Sequence, residues 1–453
     1  MAPLSRRRFL RHAGAAAVAA PFLGGARFLP RRHRAVVIGA GLSGLAAAHA
    51  LVAAGWDVTV VEARDRIGGR VLSYRFPGQP DLVCELGGEW VGASHERVQA
   101  LCADFAIPLR DHRFQASLLR DGAVSEPDAW RFSPAAEAGW EHLRAAYEAL
   151  DEAGERRLDA TDWWACLEDH GFTDDDLRLR DLMDSTDFGE SIRHVSAYAA
   201  ASEYFESSPA NEMDFKMAGG NSRLPAALAD RVGRERIRLG WAVDAIRQRG
   251  GVVEVRSGAE TLTADACICT VPTQALERIA FDPPLPTAQA AAADQLTYAR
   301  IVKTQVLCAE RFWGAEDFSL VSDVTSHYYF HSTQSQPGPA GILCSYAVGD
   351  KADVLAAQSD PRRLVRVLED LAPLDDRAVG LGRGVASAAW QRDPWTGGAY
   401  ALYRPGQWFT VRPLLQQPHG AVLFAGEHLA DWQGFMEGAV NSGEDAAATL
   451  LTD

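Results

Sequence analysis

AVVIGAGLSGLAAAHALVAAGWDVTVVEARDRIGGR, residues 35–70, decides the fold. AVVIG is a short apolar run of buried-strand type, LAAAHALVAA is a helix-compatible run, Gly55 stops it, and the alternating DVTVVE is a second strand. Strand, turn, helix and strand make a βαβ unit. Gly39, Gly41 and Gly44 stand in G-x-G-x-x-G spacing across its first turn. Glycines there permit the tight turn, close approach of a pyrophosphate to the helix N-terminus, and packing of helix on strand. Glu62 ends the second strand, where a carboxylate can accept both hydrogen bonds of an adenosine ribose. The spacing alone is a weak signal; inside a βαβ unit with the acid in place it predicts a dinucleotide site.

Working outward, Arg64, Arg66, Gly68, Gly69 and Arg70 form a second glycine and arginine cluster that a plain nicotinamide domain does not need. Paired glycines admit backbone close to a ligand, and arginines offer planar donors to phosphate oxygens. CELGGEWVG (84–92) repeats the paired glycines with Gly88, followed by Glu89 and Trp90. Residues 96–214 change to helical spacing, and Pro283, Pro284 and Pro286 mark a later break.

After that break comes ARIVKTQVL (299–307), which alternates like a strand and carries Lys303 on a partly apolar face. The chain has 45 Lys plus Arg, of which only Lys216, Lys303 and Lys351 are lysines. Where any cation would serve, this sequence uses arginine, so a strand lysine points to chemistry a guanidinium cannot do. The competing explanation is an edge-strand lysine that blunts a sheet edge.

Composition sets the bounds. At 453 residues two or more domains are expected, and 47% hydrophobic with 23% charged residues is ordinary for a globular chain. Seven cysteines lie scattered with no C-x-x-C pair, so no metal site and no disulfide framework is indicated. A formal charge of −15 argues against nucleic acid and favours, weakly, cationic small molecules. The N-terminus differs: SRRRFLR precedes a mildly apolar stretch too short to cross a bilayer, so residues 1–26 read as a twin-arginine export signal, with a periplasmic or extracellular destination. If that signal is inactive the chain stays cytoplasmic.

The E-x-x-x-x-x-G-G-R arrangement after the first βαβ unit resembles the flavin-containing amine oxidase family, which spans monoamine, polyamine and L-amino-acid oxidases. The resemblance implies FAD and extends over nearly the whole chain beyond Arg34. It implies an α/β fold in which a Rossmann-like FAD-binding domain (34–95, 215–295 and 398–453) is interleaved with an α+β substrate-binding domain (96–214 and 296–397). In the family, CELGGEWVG lies by the isoalloxazine, the position of Val243 gives backbone contacts to adenine, and the strand lysine followed by Phe312 and Trp313 holds a water at the flavin. TGGAYALYRPGQ (396–407) places Ala399 where some members attach FAD through cysteine, which implies non-covalent FAD, and Tyr400 at one wall of an aromatic cage. AVLFAGEHLADWQGFMEGAVNSGEDAA (421–447) resembles the last flavin motif, with Gly426, Glu427 and Met436 at the cofactor, Phe435 at the second cage wall and Trp432 beside it.

Together these imply that an amine is oxidised to an imine, and then to aldehyde and ammonia, with dioxygen reduced to hydrogen peroxide. The partners are a small-molecule amine and dioxygen, with a homodimer admitted and no transmembrane anchor. L-Amino acids and polyamines stay open as substrates. For the first, Trp90 stands where an arginine would meet a carboxylate, leaving Arg404 as the substitute; for the second, Glu89 or an acid of the inserted region is the anchor. A desaturase-like or non-catalytic flavoprotein is the more distant alternative.

Overall fold

The computed structural model describes residues 33–452. The N-terminal stretch read as an export signal lies outside them.

The βαβ unit forms as the pattern requires. Strand Arg34–Ile38 (β1) leads into helix Leu42–Ala53 (α1), which ends at Ala54 and Gly55 (φ +88°) before strand Asp57–Val61 (β2) pairs parallel to β1. A Cβ on Gly44 would stand 1.9 Å from the Gly39 carbonyl oxygen, so that glycine is what lets α1 lie directly on the turn. Strands Ala266–Cys269, Val422–Phe424 and Ile237–Arg238 complete a five-stranded parallel sheet, with β1 at its centre between Ala266–Cys269 and β2. The last helix, Met436–Thr452, packs across α1 at Gly443, where a Cβ would meet the Ser43 carbonyl at 2.1 Å.

A second, seven-stranded sheet takes its strands from 115–125 and 301–389, in the order Gly382–Ala389, Ile301–Cys308, Gly341–Val348, Tyr328–His331, Phe318–Ser322, Gln115–Arg120, Ala123–Ser125. Ile301–Cys308 is an interior strand, buried at all eight positions, with Lys303 opposite Tyr346 on one side and Ala388 on the other. The edge-strand explanation for Lys303 therefore fails: its strand is hydrogen-bonded on both sides.

The helical insertion has its starts written in its caps: Ser133, Asp151, Asp162, Thr173 and Ser196 each accept a backbone N–H of the helix they begin. The helix Asp174–Phe188 stops at Gly189 (φ +72°). The helical spacing did not reveal the short strands Leu109–Asp111, Gln115–Arg120 and Ala123–Ser125 at the start of this region. All seven cysteines are free and buried. Among the described residues no helix is long and apolar enough to cross a membrane.

Candidate active site

A continuous cavity, about 1980 Å³ with its mouth included, runs from the turn after β1 to the helical insertion. Its reach, from the glycine turn to the aromatic rings, suits an extended ligand with a smaller molecule beyond it.

At one end lie Gly39, Gly41 and the first turn of α1. Gly39 takes φ +106° against Thr270, and Gly69 approaches Gly41 so closely that a Cβ on it would sit 3.3 Å from the Gly41 Cα. No side chain caps α1 and no acid lies in its first turn, while Gly41, Leu42 and Ser43 face the cavity. Open N–H groups at a helix N-terminus, over backbone that tolerates no side chain, fit a diphosphate. Gly44 is not on the wall; its place is beneath, in the packing of helix on turn. Glu62 is buried on the wall, which Val243 also lines, and its carboxylate accepts the backbone N–H of Ala40 (2.8 Å) and of Arg64 (3.0 Å).

Arg64 and Arg70 reach the wall as expected, but each is already paired. Arg64 donates to Asp393 at 2.5 Å and Arg70 to Glu427 at 2.7 Å. Burial works against the Arg70 charge, and Glu427 more than offsets it, holding the guanidinium above its usual pKa. Glu427 also accepts the Gly434 N–H at 2.9 Å, so it organises the turn between Gly426 and the last helix. A guanidinium carries five N–H donors, which leaves both arginines others for a ligand.

In the middle, Gly87 and Gly88 run along the wall, and Gly88 faces Met436 at the start of the last helix. This backbone is clamped from below. Asn221 Nδ2 donates to the carbonyls of Gly88 (2.9 Å) and Glu89 (2.7 Å), and Lys303 Nζ donates to Gly87 O at 2.9 Å. Lys303 also pairs with Glu89 Oε2, while Lys216 pairs with Glu89 Oε1. Burial would keep Glu89 neutral, but two ammoniums outweigh it and hold its pKa below the usual range. Burial likewise opposes the Lys303 charge, and Glu89 raises it above the ordinary lysine value. Next to them Glu85 is pushed up to about 7 by burial and by the Glu89 charge, against hydrogen bonds from Asn221 N (2.8 Å) and Ser73 Oγ. Glu89 is thus spent on two lysines and does not anchor a cationic ligand.

At the far end Tyr400, Phe435, Tyr346, Tyr328, Phe330 and Trp90 supply aromatic wall. The Tyr400 hydroxyl donates to the carbonyls of Thr186 (3.2 Å) and Asp187, tying the wall to the helical insertion. Trp432, expected in the cage, is not on the wall: it packs edge-on against His95 (5.1 Å) and behind Phe435 (5.8 Å). The turn before the last helix aims Phe435 inward, and Trp432, three residues earlier, falls behind it. The charged side chains of the insertion on this wall are Asp187 and Glu203. Burial, with Asp184 nearby, lifts Asp187 to about 7 although Tyr204 donates to it at 2.7 Å. Arg404, the expected partner for a carboxylate, is exposed and off the wall.

Sequence reasoning missed Lys216 and Glu85, and called for an acid of the inserted region without identifying Asp187 or Glu203. The signal for Lys216 was present, because the scarcity of lysine that singled out Lys303 applies equally to it. The two acids of the insertion carry no local pattern that separates them from surface charges.

Across residues 42–451 the sequence matches the family described as flavin containing amine oxidoreductase. Similar proteins include one from Mycobacterium tuberculosis named as a flavin-containing monoamine oxidase, 27% identical over 92% of this chain and 96% of its own. An L-amino-acid oxidase of Bothrops pauloensis is 26% identical over 91% of this chain and 88% of its own. Among solved structures, cyclohexylamine oxidase from Brevibacterium oxydans superposes with a TM-score of 0.82 at 24% identity, covering 93% of this chain and 99% of that one. Putrescine oxidase bound to putrescine gives 0.82 at 22% identity, with the same coverage.

Proposed function

Since the chain belongs to the flavin containing amine oxidoreductases and is an enzyme whose cofactor is FAD, we propose that it oxidises a primary amine to an imine. Water then releases aldehyde and ammonia, and dioxygen leaves as hydrogen peroxide. The balance is one amine, one dioxygen and one water giving one aldehyde, one ammonia and one peroxide. Bound FAD supplies the two-electron acceptor.

The protein's part is placement and electrostatics. Gly39, Gly41 and the α1 N-terminus would hold the diphosphate, Glu62 the ribose, and Gly87, Gly88 and Met436 the ring system. Ala399, on the wall, offers no thiol for a covalent link, which supports non-covalent binding. Tyr400 and Phe435 would orient the amine, and the surrounding rings exclude water. Lys303 keeps its proton because Glu89 faces it. No general base is needed from the wall if the amine reacts in its neutral form.

The observation that carries the choice of amine is the pair of carboxyl side chains at the aromatic end: Asp187 and Glu203 lie there, and Arg404, which would have met an amino-acid carboxylate, does not. The same two acids favour, as a second reading, a diamine whose distal ammonium they meet. Aerobic incubation with alkyl and aryl-alkyl monoamines, diamines and L-amino acids tests this. Ammonia, aldehyde and peroxide should form in equal amounts from an amine; ammonia and peroxide formed from L-amino acids alone, with a 2-oxo acid in place of aldehyde, would overturn the reading. We further propose export, on the basic and apolar N-terminus, which cell fractionation with and without residues 1–26 checks.

A further inference from the structure

All the lysines of this chain but Lys351 meet on one carboxylate. Lys216 sits on the short strand Phe215–Met217, buried, and does not reach the cavity wall. Its Nζ donates to Ser332 O at 3.1 Å, pairs with Glu89 Oε1, and lies 5.4 Å from the Trp90 ring centre and 5.9 Å from that of Phe330. Lys303 takes the other Glu89 oxygen and lies 5.8 Å from the same Phe330 ring. Two ammoniums on one carboxylate leave one positive charge uncancelled while the neighbouring Glu85 carboxyl stays protonated, and burial screens that charge little. A stability device would be expected to balance its charges, since an unmatched buried charge is costly. Here the imbalance is kept, and Lys303 delivers it to the wall beside Gly87 and Gly88.

We propose that Lys216 is a positioning residue: by neutralising Glu89 from behind, it lets Lys303 remain aimed at the cavity with an uncompensated positive charge that favours the reduced, more negative form of the flavin. This rests on Lys303 lying at the flavin. Lys216 acts only through Glu89, which separates it from residues that touch cofactor or substrate. An arginine in its place would fork across both carboxylate oxygens and compete with Lys303, whereas a compact ammonium takes one.

The test is the two-electron midpoint potential of the purified holoenzyme, read spectroscopically against a reference dye, in Lys216→Met, Glu89→Gln and Lys303→Met. Removing a buried unit charge on the order of ten ångströms away should disfavour reduction about tenfold, a fall of about 30 mV for a two-electron couple. Lys216→Met and Lys303→Met should both show that fall with FAD retained. Glu89→Gln, which removes the anion, should not lower the potential. If Lys303→Met lowers it and Lys216→Met does not, the Lys216 inference is overturned while the placement of Lys303 stands. If none of the three moves it, the placement of Lys303 itself is wrong. Equal falls in all three, Glu89→Gln included, would mark a packing defect and overturn the inference as well. Should Lys216→Met give too little folded protein, Lys216→Gln replaces it with the same expectations.

Discussion

Glu85→Gln should make the enzyme's stability less sensitive to pH, and the size of the effect can be worked out from the site. Burial and the neighbouring Glu89 charge raise the Glu85 pKa from 4.5 to about 7. A carboxyl whose folded pKa lies above its unfolded value stabilises the fold when protonated. That contribution is complete below about pH 4.5 and is lost as pH rises through about 7. Linkage between those two values gives a loss of roughly 2 to 3 kcal/mol between pH 5 and pH 8. At about 2.1 cal/mol/K per residue the unfolding entropy of a chain this long is about 0.9 kcal/mol/K, so the loss corresponds to about 3 °C in Tm. Glutamine fits the site: its oxygen can accept the Asn221 N–H and its amide can donate to Ser73 Oγ, both partners of the present carboxyl. Thermal unfolding of holoenzyme at pH 5 and pH 8 should therefore show a wild-type Tm that drops about 3 °C further than that of Glu85→Gln. Asp187 titrates in the same range, but it is common to both proteins and cancels in the comparison. Parallel pH profiles for the two proteins would refute the assignment of a raised pKa to Glu85.

Other expectations follow from the same geometry. Lys303→Met should keep FAD bound and slow flavin reduction or reoxidation at least tenfold in stopped-flow absorbance; unchanged rates in both half-reactions would remove Lys303 from the chemistry. Gly44→Ala drives a Cβ against the Gly39 carbonyl and should cost about 3 kcal/mol or more, seen as loss of yellow cofactor on gel filtration. If the substrate is a diamine, Asp187→Asn should raise KM for it about tenfold or more while leaving monoamine KM within about twofold, because a charge-assisted contact is worth roughly 1.5–3 kcal/mol.

Legibility in the sequence tracked the range of the interactions concerned. The βαβ unit is made by contacts among near neighbours, so its glycines, Glu62 and strand pattern declared it directly. Lys303 was visible because lysine is rare here, yet the edge or interior status of its strand depends on partners at 341–348 and 382–389, which no local pattern shows. Lys216 has only a three-residue strand around it, so nothing but its rarity marked it. Glu89 was read as an anchor from charge alone; its two lysines lie more than a hundred residues away in sequence. Trp432 and Phe435 share one turn and both pack edge-on against His95, far earlier in the chain, so no local pattern tells which of them reaches the cavity. Asp187 and Glu203 look like solvated helix charges until the insertion is folded over the cavity.

The central claim is that this flavoenzyme takes electrons from an amine held at an aromatic, acidic pocket end. The most direct measurement is anaerobic absorbance of the bound flavin during addition of aryl-alkyl monoamines, diamines and L-amino acids in turn. Bleaching of the visible band by at least one amine, with L-amino acids inert, is the predicted result; bleaching only by L-amino acids, or by none of them at full FAD occupancy, would contradict it.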